Sequence, residues 1–236
     1  MRLEERYEAA IRPLRQEVEA NPTIGALLDP AIAPAVLERF LIQWCALGVQ
    51  MTAPVEGWIR RAGERCWELG LVGISTRLQA HAHHEADHHL MFIADTRALV
   101  ARWNGRRSPP LSAEALLAQP ATAAMRDYIG LHEQTIAGEA PYAQVAIEYE
   151  VEGLSVSVLP RLLEQFRRVL GDEAMASLSF LREHAELDVG HTRYNRKMIQ
   201  LLVAARPSAI GLLADTGAAA VRAYLRFLGE CLAAAA

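Results

Sequence analysis

The sequence predicts an all-α protein built as one helical bundle, and three observations carry that expectation. Alanine and leucine dominate a chain of 236 residues in which aromatics are only 6%, a composition that favours helix. No run of alternating β-branched residues stands between turn signals, so nothing reads as a strand. Proline, glycine and capping residues cut the chain into segments of helical length. At this length one large domain over residues 1–236 is expected rather than two.

Taken in order, Leu3 to about Ala20 is helical and closed by Asn21-Pro22. A second helix starts between Pro30 and Pro34 and carries Phe40-Leu41-Ile42-Gln43-Trp44 to about Met51. The third restarts at Thr52-Ala53-Pro54, with proline tolerated in the first turn, and ends at Gly70 and Gly73. Ser75 is placed to cap a long fourth helix that runs through Asp95 to Trp103, with Asn104-Gly105 as its stop. Residues 106–112 form a loop around Pro109-Pro110, followed by a short helix over 113–118. Pro120 opens a helix to about Ala137, and Gly138 and Pro141 separate it from one that Pro160 kinks or restarts. After Gly171-Asp172 a long helix covers 173 to about 205, Pro207 ends it, and a last helix over about 217–235 makes some eight in all.

Composition also bounds function. The net charge of −4 argues against nucleic acid or an anionic membrane as the main partner, and charged residues interrupt each apolar run before it reaches spanning length. Cys45, Cys66 and Cys231 are scattered, with no C-x-x-C, and read as reduced core thiols of a cytoplasmic protein. The N-terminus, Met-Arg-Leu-Glu-Glu-Arg-Tyr-Glu, reads as a charged amphipathic helix rather than a signal peptide. The expected partner is a small-molecule substrate, with a homodimer as the compatible assembly.

Seven of the eight histidines lie in two short stretches. His184, Asp188 and His191 stand at i, i+4 and i+7, which stacks them on one helical face and supplies two imidazoles and a carboxylate to a transition metal. His81, His84, Glu85 and His88 repeat the pattern at i, i+3, i+4 and i+7. A third group, Glu148-Tyr149-Glu150-Val151-Glu152, is embedded among Ile147, Val151, Leu154 and Val158, and a carboxylate buried there calls for a cation. Spacing puts Glu148 and Glu152 on one stripe and turns Glu150 away. His132 reads as a core histidine, and His83, Asp87 and His89 fall off the stripe.

Ferritin-like dimetal sites use two Glu-x-x-His pairs, whereas this chain has one, Glu85-Ala86-Asp87-His88. The order of an acid and a histidine on a middle helix, an acid on a later one, then His-x-x-x-Asp-x-x-His, resembles the haem-oxygenase-like diiron oxidases and oxygenases, relatives by fold of haem oxygenase and thiaminase-type proteins. Tyr149-Glu150-Val151-Glu152-Gly153 is similar to a Tyr-x-Leu-Glu-Gly segment of such families. The resemblance implies a haem-oxygenase-like helical bundle, a site of Glu85, His88, Glu152, His184, Asp188 and His191 for two Fe(II) ions per chain, and O2 as co-substrate. It implies an oxidoreductase acting on an amino acid or a fatty acid. Glu148, His84, His81 and Glu56 stand as further candidate ligands, with His84 ahead of His81. A histidine-richer site equally suits manganese, zinc or a single iron. Two rival readings stay open: a cofactor-independent enzyme or small-molecule-binding protein of the same fold, and a non-redox metal-binding protein.

Overall fold

The computed structural model describes residues 3–236, so Met1 and Arg2 of the charged N-terminal segment lie outside the described residues. Among those residues there are twelve α-helices and no strand. They run α1 (Leu3–Glu19), α2 (Pro22–Leu27), α3 (Pro34–Thr52), α4 (Val55–Glu68), α5 (Val72–His84), α6 (His89–Asn104), α7 (Ala113–Leu117), α8 (Ala123–Ala137), α9 (Gln144–Leu170), α10 (Asp172–Met175), α11 (Ser179–Ala205) and α12 (Ile210–Ala235). No single helix among them is long and apolar enough to cross a membrane. All three cysteines are free and buried.

The count exceeds the expected eight because several turns fall where the sequence reads as continuous helix. The expected helix from Ser75 to Trp103 is two, α5 and α6, joined by a turn over residues 85–88. Asp87 makes that turn with φ 66°, a left-handed conformation that the short polar side chain of aspartate tolerates. Nor does Ser75 cap the start: α5 begins at Val72 and Ser75 lies buried inside it. The stretch from 173 is likewise split, into α10 and α11. Asn21, read as a terminator, instead caps the short α2 by accepting from the amides of Thr23 and Ile24 at 3.0 and 3.2 Å. Pro160 neither stops nor restarts α9, which continues to Leu170.

Helix α9 is the spine. It packs along α11 on one side and α12 on another, while α3 lies against α6 and α12. Gly217 of α12 permits the closest approach: a Cβ there would stand 2.7 Å from Glu150 Cγ and 2.9 Å from the Ala146 carbonyl oxygen of α9. Large apolar side chains fill the spaces between, including Phe40, Trp58, Phe92, Phe166 and Phe227, all essentially inaccessible to solvent.

Glu150 does face away from Glu148 and Glu152, but into protein rather than water. The Tyr7 hydroxyl of α1 donates to it at 3.0 Å, and the half-exposed Arg15 lies 3.4 Å away. Burial pushes the Glu150 carboxyl up, against the pull of Arg15 and Tyr7. This ion pair seats α1 on the spine. Glu150→Gln should therefore lower stability by about 1–2 kcal/mol, visible as a fall of about 2–8 °C in Tm, through loss of a charge-assisted hydrogen bond. Metal content should be unchanged. Calorimetry and metal analysis of the same sample check both halves, and loss of metal would place Glu150 in the wrong network.

Candidate metal centre

Helices α5, α9 and α11 converge so that their titratable side chains meet in the middle of the bundle. The helical face of α11 buries His184, Asp188 and His191 together, as the i, i+4, i+7 spacing requires. Opposite them, α9 presents Glu148 and Glu152. The end of α5 and the turn after it bring His81, Glu85 and His88.

Two groups of donor atoms form, each within 4.8 Å of one another. The first joins His81, Glu85, Glu152 and His191; the second joins Glu85, His88 and His184. Glu85 belongs to both. One of its oxygens, Oε1, stands 3.1 Å from His191 Nδ1 and 3.5 Å from His81 Nε2, while Oε2 stands 3.3 Å from His88 Nδ1. Glu152 Oε1 lies 3.0 Å from His81 Nε2 and 3.8 Å from His191 Nδ1.

These distances are short, yet the ring nitrogens of His81 and the Nδ1 atoms of His88 and His191 are buried without a hydrogen-bond partner. Nitrogen and oxygen atoms that approach without aligning donor to acceptor are arranged around common points rather than paired. Ligand atoms held about 2.0–2.2 Å from one ion lie about 3–4 Å from each other. The donor set, imidazole nitrogen with carboxylate oxygen, is one that suits Fe(II), Mn(II) or Zn(II). The residues present therefore fit a metal ion in each group.

Supporting contacts set the orientation of the donors. His184 Nδ1 donates to the Phe180 carbonyl oxygen at 2.9 Å, which leaves Nε2 as the lone-pair nitrogen. Phe180 stacks on the His184 ring at 3.8 Å between centroids. Asn195 Nδ2 donates to Glu152 Oε2 at 2.6 Å, leaving Oε1 for the cluster. Asp95 of α6 caps α11 from a neighbouring helix: it accepts from the Ser179 amide and hydroxyl at 2.9 and 2.8 Å, and from the Phe180 amide at 2.9 Å. Neither Asn195 nor Asp95 was singled out in the sequence. Asn195 continues the His184–Asp188–His191 stripe by one more turn; Asp95 carries no local signal, because its partners are 84 and 85 residues away.

The remaining candidates fall elsewhere. Asp188 is buried and 3.7 Å from His191, at the edge of the first group but not within 4.8 Å of all its donors. Glu148 is buried on the stripe of Glu152 but belongs to neither group. The expected order of His81 and His84 is reversed in position: His81 is 1% exposed at the centre, and His84 is at the surface. The stripe drawn through all four residues assumed a continuous helix, and the turn at 85–88 ends it. Glu56 pairs with Arg60 on α4 at 3.3 Å, away from both groups. His132 is a core residue, stacked on Trp58 at 4.0 Å, and burial pushes it down to about 3.

Electrostatics follow from this packing. Burial pushes Glu85 up, but the surrounding imidazoles of His191, His81 and His88 outweigh it and hold its carboxyl well below the usual carboxylate range. Burial pushes His191 down, and Asp188, Glu85 and Glu152 reverse that and carry it up to about 10. Burial likewise opposes, and Glu152 and Glu85 outweigh, in raising His81. His88 is raised chiefly by Glu85, whereas burial lowers His184.

A cavity opens on the cluster. It has a volume of about 910 Å³ including its mouth, and its wall includes Trp44, Met51, Val55, Leu159, Leu162 and Leu228. Glu85, Glu152, His184 and Asp188 face it from the cluster side.

Imidazoles must be neutral to bind a metal, so an ion entering the cluster displaces protons from His81 and His191. Loading should weaken as pH falls, and the fall should begin above the ordinary imidazole value of about 6.5 because both histidines are raised. Titration calorimetry with Fe(II) or Zn(II) at neutral pH, in buffers of different ionisation enthalpy, should read about two protons released per chain. Release of none would mean that the imidazoles are already neutral in the metal-free protein.

No family model matches the chain, and no curated protein matches it. Solved structures do. A domain of unknown function with a heme oxygenase-like fold from Shewanella denitrificans OS217 superposes with a TM-score of 0.76 at 15% identity, over 98% of this chain and 92% of that one. A TenA homolog from Pseudomonas syringae pv. tomato superposes with a TM-score of 0.73 at 14% identity, over 97% of this chain and 92% of that one. At these identities the likeness is one of fold, and the fold is haem-oxygenase-like.

Proposed function

We propose that this haem-oxygenase-like bundle is a non-haem metal enzyme, an O2-activating oxidase or oxygenase with two Fe(II) ions per chain that acts on a small organic substrate. The observation that carries the reading is the pair of buried donor groups sharing Glu85, with imidazole nitrogens that no hydrogen bond satisfies. Glu85 is the carboxylate available to both ions. His81, Glu152 and His191 would hold one, and His88 and His184 the other, with Asp188 at their edge. When bound, a ferrous pair supplies the electrons and open coordination positions that O2 reduction needs.

The chain's own residues do the rest. Asn195 keeps one Glu152 oxygen turned to the cluster, and the Phe180 carbonyl fixes the tautomer of His184. The aliphatic wall of the cavity excludes water and holds a C–H or N–H bond of the substrate against the cluster.

Anaerobic Fe(II) titration with Mössbauer spectroscopy tests the assignment. The parent should bind about two ions per chain in a coupled signal, and His81→Ala, His88→Ala or His184→Ala should bind about one. Glu85→Ala should abolish the coupling, with far-ultraviolet dichroism unchanged. Two ions retained in Glu85→Ala would remove the shared carboxylate from the reading. Redox-inert metal with no O2 consumption would favour a non-redox metal-binding protein instead.

A further inference from the structure

The cavity has walls of one charge sign. Four carboxyl groups line it, those of Glu85, Glu148, Glu152 and Asp188, and among the described residues no lysine or arginine does. Three of the four belong to the cluster or its edge. Glu148 does not.

Glu148 sits on α9 one turn before Glu152 and is 6% exposed. Its Oε1 accepts from Gln144 Nε2 at 2.5 Å, the one hydrogen bond it makes among the described residues, and the residue lines the cavity. Gln144 cannot do more for it: its amide nitrogen also contacts His132 Nδ1 at 2.7 Å, and its own Oε1 is buried and unpaired. Burial leaves the Glu148 carboxyl raised to about 8, with His81 pulling it down and Glu152 and Glu85 pushing it up. A carboxyl so placed is answered only by a ligand that donates hydrogen bonds or carries positive charge.

From there the cavity follows α9 past Glu152 toward Leu162. Between Glu148 and Leu162 the helix rises about 21 Å, and Leu154, Val158, Leu159 and Leu162 line this run, faced by Ile24 and Leu228. Beyond Glu152 that wall offers a hydrocarbon chain apolar contact, interrupted by the Ser155 hydroxyl, which is buried without a hydrogen-bond partner. An anionic head placed beside Glu148 would meet a second carboxyl with no basic side chain among the described lining residues, which selects against it.

We propose that the cavity takes long-chain aliphatic amines, with the ammonium head on Glu148 and the tail along α9 toward Leu162. The proposal uses the cavity of the metal reading and takes the amine nitrogen as the group held beside the cluster, but the recognising residue stands outside the donor groups.

Binding of dodecylamine, dodecanol and dodecanoate below their micellar concentrations tests it, on protein as purified and after metal removal by chelator. Dodecylamine should bind at one site, at least about tenfold tighter than the other two, in keeping with a charge-assisted hydrogen bond. Glu148→Gln, which keeps shape and the Gln144 contact, should raise the Kd of the amine about tenfold or more and leave that of dodecanol within about twofold. Leu162→Trp should weaken dodecylamine and spare hexylamine, which separates the cavity from cationic adsorption to the acidic surface. Dodecanoate binding as tightly as dodecylamine, or an amine affinity indifferent to Glu148→Gln, overturns the proposal. Amine preference in a protein that binds no metal would defeat the metal reading alone. A metal-loaded protein without that preference would defeat this inference alone.

Discussion

The rest of the structure depends on the burial of carboxylates along one helix. Helix α9 puts Glu148, Glu150 and Glu152 inside an apolar bundle, where an unanswered charge is strongly unfavourable. Each is answered from a different element. Glu150 is met by Tyr7 and Arg15 of α1, Glu152 by His81 of α5 and Asn195 of α11, and Glu148 by Gln144 of α9 itself. The docking of α1, α5 and α11 on the spine is thus tied to the same charges that make the centre chemically useful. Glu148, with a single neutral partner, is the least satisfied of the three, and it faces the cavity together with Glu152.

The stripe on α11 was legible because a single uninterrupted helix carries it: His184, Asp188 and His191 are three readings of one period, and all three are buried together. Glu152 was legible for the same reason, and Glu150 in part, since period alone says that it faces elsewhere but not that Tyr7 waits there, 143 residues away in sequence. The first histidine stretch was only half legible. Its residues are where the chemistry is, but ranking them needed the phase of a helix that stops at His84. A left-handed aspartate inside a run free of proline and glycine leaves no periodic trace, so His81 and His84 exchanged places between expectation and structure. The split of α10 from α11 is a similar case: α11 begins where Asp95 of another helix caps it, and no residue near Ser179 announces that.

The fold neighbours sharpen this division. Identities of 14 and 15% accompany superposition of nearly the whole chain, so the bundle is specified by pattern and volume rather than by particular residues. The fold alone does not set which positions of the bundle carry ionisable groups. A haem-oxygenase-like bundle packed with leucine and alanine would be stable without any of them; replacing buried charges with apolar groups of similar size is often neutral or stabilising.

The centre is therefore held at a cost to stability, and the geometry shows how the bundle bears it. The two donor groups come from three helices and the turn over residues 85–88, and tertiary packing brings them together. His88 and His184, with rings 4.8 Å apart, lie just before α6 and in the second turn of α11. Asp95 links those two helices by three hydrogen bonds to the first residues of α11, while Phe92 of α6 stacks on Phe180 at 3.7 Å. Phe180 in turn stacks on His184 and holds its Nδ1 proton. Position, tautomer and helix docking are set by one continuous chain of contacts from Asp95 to His184. A buried acid that never touches the cluster accordingly governs the distance between two of its donors, and the motif Glu85-x-x-His88 acquires its partner through tertiary packing rather than through spacing.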